Sequence, residues 1–220
     1  MLRKISILVL IFIFTLPLNV SALGVYDLSD NNEVEIVDNT VLDQVKDINK
    51  ESYKYLIDND SLLLRTSGIL EEEYIAREDF LAMFFRLATG YRFGEVSESP
   101  YYIDVKLMDW HAGYVEWARY NGVARGYGKE VWGIGDSLTF EQMYKMVHGY
   151  IMYHQLDAYN ILNDNLDLSS SSPWAKESIL WCYTNDLIPE NISNFKDPVQ
   201  WETAIDFLVS SHKMFLFNKN

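Results

Sequence analysis

The sequence predicts an all-α protein. Three observations carry that expectation. Apolar residues recur at a spacing of three and four in segment after segment, as on one face of a helix. Turns rich in Asn, Asp and Gly separate those segments. A helix–loop–helix pattern also comes back three times along the chain.

The first residues are set apart. Arg3 and Lys4 make a basic start, Ile5 to Leu18 an apolar run, and Val20-Ser21-Ala22 a small-residue cleavage site, so residues 1–22 read as a signal peptide. The run is shorter than the ~20 residues of a spanning helix, which favours cleavage over the alternative, retention as an uncleaved anchor. Residues 23–40 form an acidic linker carrying Asp27, Asp30, Glu33, Glu35 and Asp38. The mature protein is expected to begin near Leu23, outside the cytoplasmic membrane.

Val41 to Ile57 reads as a helix burying Leu42, Val45, Ile48, Tyr53, Leu56 and Ile57. After a loop around Gly68, Ile75-Ala76-Arg77-Glu78 opens a second, strongly apolar helix with Phe80, Leu81, Phe84, Phe85 and Leu87, stopped at Gly90. Gly94 to Tyr102 connects to the clearest copy of the pattern, Trp110 to Met143. There Trp110, Tyr114, Trp117 and Ala118 stand at i, i+4, i+7 and i+8. Asn121-Gly122 ends the helix with a residue tolerant of positive φ. A loop with glycines 122, 126, 128, 133 and 135 follows. Thr139-Phe140-Glu141-Gln142 is a capping box for the next helix, expected from about Glu141 to Tyr159.

The last third repeats this order. Ser169 to Pro173 is a turn, Trp174 to Thr184 a helix, Asn185-Asp186 its end, and Glu202 to Phe217 the final helix. Trp174, Ser178, Trp181 and Cys182 reproduce the spacing of Trp110, Tyr114, Trp117 and Ala118. The match predicts that Trp110, Trp117, Trp174 and Trp181 share one core, and that Cys182 is a small core residue like Ala118. Asp60-Ser61-Leu62, Asn121-Gly122-Val123 and Asn185-Asp186-Leu187 align as turns, with Leu62, Val123 and Leu187 spaced 61 and 64 residues apart.

The Trp110–Met143 stretch resembles the S-layer homology (SLH) repeat. The motif places of that family are held by Asp104-Val105, Trp110-His111-Ala112, Gly122-Val123 and Leu138-Thr139-Phe140-Glu141-Gln142. The resemblance implies three modules, at 41–95, 96–160 and 161–220, packed as one pseudo-threefold helical domain with the second helices at the centre. It also implies a groove where an arginine opening a second helix binds a cell-wall-linked glycopolymer bearing carboxylate or pyruvyl groups. Only Arg77 keeps that arginine; Phe140 and Trp201 stand at the matching places.

The physical chemistry suits such a site. A helix N-terminus offers partial positive charge, and a guanidinium adds a fork matched to a carboxylate. Arg125, Tyr127 and Trp132, in the glycine-rich loop, are the other ligand-binding candidates. Arg77 can also be read as an exposed residue paired with Glu73 or Asp79. Tyr127 and Trp132 can equally close a small core beneath their loop. Phe140 and Trp201 cannot pair with an anion; they stack on a sugar or plug the groove, and plugging is expected of at least one.

Composition narrows the rest. With a formal charge of −14 on 220 residues, neither nucleic acid nor an anionic membrane is an expected partner. Signal cleavage leaves 16 basic and 32 acidic residues, a mature charge of −16. Cys182 is the only cysteine, so no intramolecular disulfide forms. His111, His148, His154 and His212 follow no metal-ligand spacing, Gly126-Tyr127-Gly128 lacks a nucleotide-binding context, and no Ser-His-Asp set stands out. No cofactor and no catalysis are expected. Three functions follow: a secreted SLH-type module on a secondary cell wall polymer or other envelope glycan, a degenerate SLH scaffold for a protein partner at the cell envelope, or an envelope glycan-processing enzyme. The first is the expected one.

Overall fold

The computed structural model describes residues 42–43, 45–63, 73–96, 99–156, 166–189 and 192–216. The expected signal peptide and acidic linker, the loop around Gly68 and the end of the last helix at Phe217 lie outside the described residues. Among those described, the protein is all-helical. Six α-helices alternate short and long: α1 (Lys50–Asp58), α2 (Arg77–Thr89), α3 (Ala112–Tyr120), α4 (Phe140–Tyr153), α5 (Lys176–Thr184) and α6 (Trp201–Ser211). A π-helical turn, His212–Leu216, continues α6.

The short helices α1, α3 and α5 have nine residues each and end alike. Asn59, Asn121 and Asn185 each donate their Nδ2 to the carbonyl four residues back, at 2.8, 2.9 and 2.8 Å. The next residue turns left-handed: Asp60 at φ 53°, Gly122 at 70° and Asp186 at 55°. Such a turn satisfies carbonyls that the helix end leaves open. The expected alignment is therefore off by one in the first copy. Its turn is Asn59-Asp60-Ser61, and Ser61, fully buried, holds the place of Val123 and Leu187.

Three further boundaries differ from expectation. The first helix begins at Lys50 rather than Val41, after a series of turns, and Ile48 is 87% exposed instead of buried. Helix α4 ends at Tyr153 rather than Tyr159, with Gln155 left-handed at φ 53°. Finally, Trp174 is not in the core: it is 51% exposed, while Trp181 is fully buried and Trp110 and Trp117 pack half-buried against the core. The reason is local. Helix α5 starts at Lys176, so Trp174 stands in the preceding turn, where helical spacing does not decide direction.

The long helices are joined at their starts. Ile75 N–H donates to Val199 O at 3.0 Å, Val199 N–H to Leu138 O at 2.8 Å, and Leu138 N–H to Ile75 O at 2.8 Å. These three bonds close a ring. Two residues on, a second set runs the opposite way round: Arg77 N–H to Asp136 O at 3.1 Å, Phe140 N–H to Asp197 O at 3.2 Å, and Trp201 N–H to Glu73 O at 3.1 Å. Each long helix thus has its first N–H capped by another segment's carbonyl. Ala76 and Gln200 can stand at N-cap positions without a side-chain cap for that reason. At Thr139 the capping box adds a bond from the Thr139 N–H to Gln142 Oε1, at 3.2 Å.

Packing follows the same order. Helix α2 lies on α3, α4 on α5 and α6 on α1, with α2 and α4 also touching α6. Eleven of the residues of α2, Arg77 to Leu87, are buried, against two of α1. The long helices are the inner ones. Phe84 is typical of their core: fully buried, with ring centroids of Trp117 at 5.6 Å and Tyr150 at 5.3 Å. Burying a ring of this kind contributes about 1.5–3 kcal/mol. Cys182 packs like Ala118, fully buried, and burial pushes its thiol well above the ordinary range.

Candidate functional site

The site is built around the start of α2. Ile75, fully buried in the hydrogen-bonded ring, fixes the backbone, so Arg77 must emerge among the neighbouring residues. Arg77 is only 3% exposed, which overturns the reading of it as an exposed ion-pair residue. Its guanidinium carbon lies 4.6 Å from the centroid of Tyr127 and 5.0 Å from that of Trp132. Such cation–π contacts are strongest when desolvated. Arg77 Nε has no hydrogen-bond partner among the described residues. Burial draws the guanidinium pKa below its ordinary value, while Tyr127, Asp136, Glu78 and Tyr102 act in the opposite direction.

The loop that carries the aromatic partners is held from three sides. Asp104 accepts the N–H groups of Trp132 at 2.8 Å, Gly133 at 2.7 Å and Ile134 at 3.3 Å. Burial would raise that carboxyl; the backbone N–H groups outweigh it and hold it below the usual range. Glu78 accepts Gly135 N–H at 3.1 and 3.2 Å, and Gln142 Nε2 reaches the Tyr127 hydroxyl at 3.4 Å. Gly126 needs to be glycine, because at φ +67° a Cβ would meet Val131 O at 2.3 Å.

Beside Arg77 a cavity of about 620 Å³ opens to solvent. Arg77, Arg125, Tyr127, Gln142, Lys145 and Trp174 line it, from the start of α2, the loop, α4 and the turn before α5. Among the described residues, the lining holds three cations and no carboxylate, although the chain carries a formal charge of −14. Carboxylates do stand behind it, since Asp136 and Glu78 act on Arg77. An anion with an apolar or ring-shaped body fits these groups.

Of the four expected site residues, the fold brings Arg77, Arg125 and Tyr127 to one cavity. Trp132 is elsewhere: fully buried behind Arg77, its ring 5.5 Å from that of Tyr102, it closes the core beneath the loop. Tyr127 remains 52% exposed, so the two aromatics divide the two roles. The anion was also expected to meet backbone N–H groups at the helix start, but the Arg77 N–H is already given to Asp136 O.

Sequence reasoning missed Gln142, Lys145 and Trp174. Gln142 and Lys145 are three apart on α4 and so share a face, a signal legible once the cavity's side of that helix is known. Trp174 was hidden by its own spacing, which matches that of a core residue. The other two long-helix starts differ. Trp201 is 5% exposed, and Phe140 is half-buried against Tyr144, at 6.3 Å between centroids.

Among the described residues, no group of three or more His, Cys, Asp or Glu side chains is placed to hold a metal ion. No helix among them is long and apolar enough to cross a membrane. No model of a known protein family matches the chain, and no characterised protein matches it in sequence.

Proposed function

We propose that this is a secreted, non-catalytic binding protein of the SLH type that holds an anionic cell-envelope polysaccharide without covalent attachment, in the cavity beside Arg77. One observation carries the reading: Arg77, almost fully buried, stands in the wall of a cavity lined by cations and aromatics and, among the described residues, by no carboxylate. Burying a charge costs free energy unless a partner returns it. A carboxylate on the ligand is such a partner. The closed ring of hydrogen bonds supports the accompanying picture of three modules packed around a pseudo-threefold axis. Secretion rests on the make-up of residues 1–22.

The test is cosedimentation with cell wall carrying its secondary polymer, at moderate salt, after circular dichroism has shown each variant folded. Wild type should pellet, and Arg77→Ala should stay in solution. Arg77→Lys keeps the charge without the planar fork and should fall between them. Equal pelleting of wild type and Arg77→Ala removes Arg77 from the site. A second reading, a scaffold that has lost glycan binding and engages a protein, is favoured by the buried Trp201. Wall stripped of its polymer distinguishes the two, because only the glycan reading predicts that binding is lost with the polymer.

A further inference from the structure

Among the described residues, Trp174 is the tryptophan that the fold leaves in the open. Of the tryptophans whose spacing it shares, Trp181 is fully buried and Trp110 rests half-buried against His111 and Tyr114, at centroid distances of 5.4 and 6.1 Å. Trp174 is 51% exposed and lines the same cavity as Arg77. Its backbone is held firmly. Ser172 gives its N–H and its hydroxyl to the Glu141 carboxylate at 2.7 and 2.9 Å, which ties the turn to the first turn of α4. Ala175, the next residue, is fully buried, and its N–H reaches Ser172 O at 3.0 Å. A large ring on a fixed turn loses little freedom when something stacks on it.

The cavity therefore has two levels. Arg77, almost fully buried, stands at its inner wall, where its guanidinium can pair with a carboxylate. Trp174 and Tyr127, each about half exposed, stand at its open side. At about 620 Å³ the space is far larger than a lone carboxylate and within the ordinary range for a ring-sized ligand.

We infer that Trp174 contacts the ligand and makes the Arg77 cavity prefer an anion carried on a sugar ring over a bare anion. This rests on the reading that the cavity holds an anionic glycan. The carboxylate pairs with Arg77, and the apolar face of the pyranose lies on Trp174. The Trp174 contribution is then specific to the ring, and the Arg77 contribution is common to both ligands.

Calorimetric titration of the purified protein with glucuronate, acetate and methyl glucoside tests it. Wild type should bind glucuronate roughly tenfold more tightly than acetate, the size expected of one aromatic stacking contact. Methyl glucoside, which lacks the carboxylate, should bind more weakly than glucuronate. Trp174→Ala should lose the tenfold factor on glucuronate and leave acetate unchanged, Trp174→Phe should keep most of it, and Arg77→Ala should lose both anions. Acrylamide quenching of Trp174, read as the difference between wild type and Trp174→Phe, should fall when glucuronate is added. The inference is overturned by Trp174→Ala binding glucuronate as wild type does, by wild type not preferring glucuronate to acetate, or by quenching that does not change. The two readings fail differently. If wild type and Trp174→Ala pellet equally with polymer-bearing wall, the role of Trp174 is lost and the glycan reading stands. If wild type neither pellets nor binds glucuronate, both are lost.

Discussion

Arg77 and Trp201 each open a long inner helix from the same backbone frame, and each donates its N–H to a carbonyl four residues before the start of another such helix. Their side chains are both almost fully buried. Yet one is an arginine stacked between two aromatic rings beside an open cavity, and the other a tryptophan packed in the core. A frame set by backbone hydrogen bonds does not make a site. What fills the space beside it does, and that is decided residue by residue.

The sharpest way to break the comparison is to exchange the side chains. Trp201→Arg removes a packed ring and strands a guanidinium, and should cost about 3–5 kcal/mol by denaturant unfolding. Phe140→Arg, at a half-buried place, should cost less than half of that. Wild-type stability in Trp201→Arg would mean that this helix start is as open as the one at Arg77.

The tryptophans make a second comparison. Trp181→Ala should cost about 3–5 kcal/mol, as large-to-small aromatic changes in cores do, and Trp174→Ala under about 0.5 kcal/mol. The same thermal or denaturant melts measure both. Similar destabilisation by the two would mean that Trp174 belongs to the core after all.

Arg77→Ala sharpens the contrast from the other side. Wall binding should drop at least about tenfold, in line with the strength of a charge-assisted hydrogen bond, while stability shifts by no more than about 1–2 kcal/mol. Removing the guanidinium forfeits its stacking on Tyr127 and Trp132 but also relieves the cost of burying its charge, and the two oppose each other in that figure. A variant that unfolds instead would make Arg77 a structural residue.

The smallest effect concerns Asp104. Its folded carboxyl titrates below the ordinary value of 3.8, so its stabilisation is present above that pH and is lost as pH falls through the folded pKa. Melting temperature should therefore decline more steeply below about pH 4 in wild type than in Asp104→Asn. Parallel curves would mean that the three loop N–H groups do not depend on the charge.

Much of this was legible in the chain, and the misses have physical causes. The capping box, the helix-ending Gly90 and Gly122, and the small core place of Cys182 are local patterns, and they stand as read. Ile48 and Trp174 were misplaced for one reason. Each lies just before a short helix, where apolar spacing continues in the sequence but the helix has not begun. Arg77, Arg125 and Tyr127 were found as candidates through the resemblance and the glycine-rich loop. Gln142 and Lys145 were not, because nothing in α4 by itself says which polar face meets the cavity.

Sequence by itself determined the helical class, the sequence of six helical segments, and the turns that end the second and third short helices. Those depend on periodicity and on Asn, Asp and Gly at a few places, which act within one or two turns of the chain. Tertiary structure alone decided the rest. Ala76 and Gln200 have no cap of their own, and their helices start where they do because carbonyls from distant segments take the first N–H groups. Arg77 is a buried cation because the Tyr127–Trp132 loop, tied down by Asp104 and Glu78, closes over it. Hydrogen bonds and burial between residues far apart in the chain leave no local trace in the sequence, and those are what shape the site.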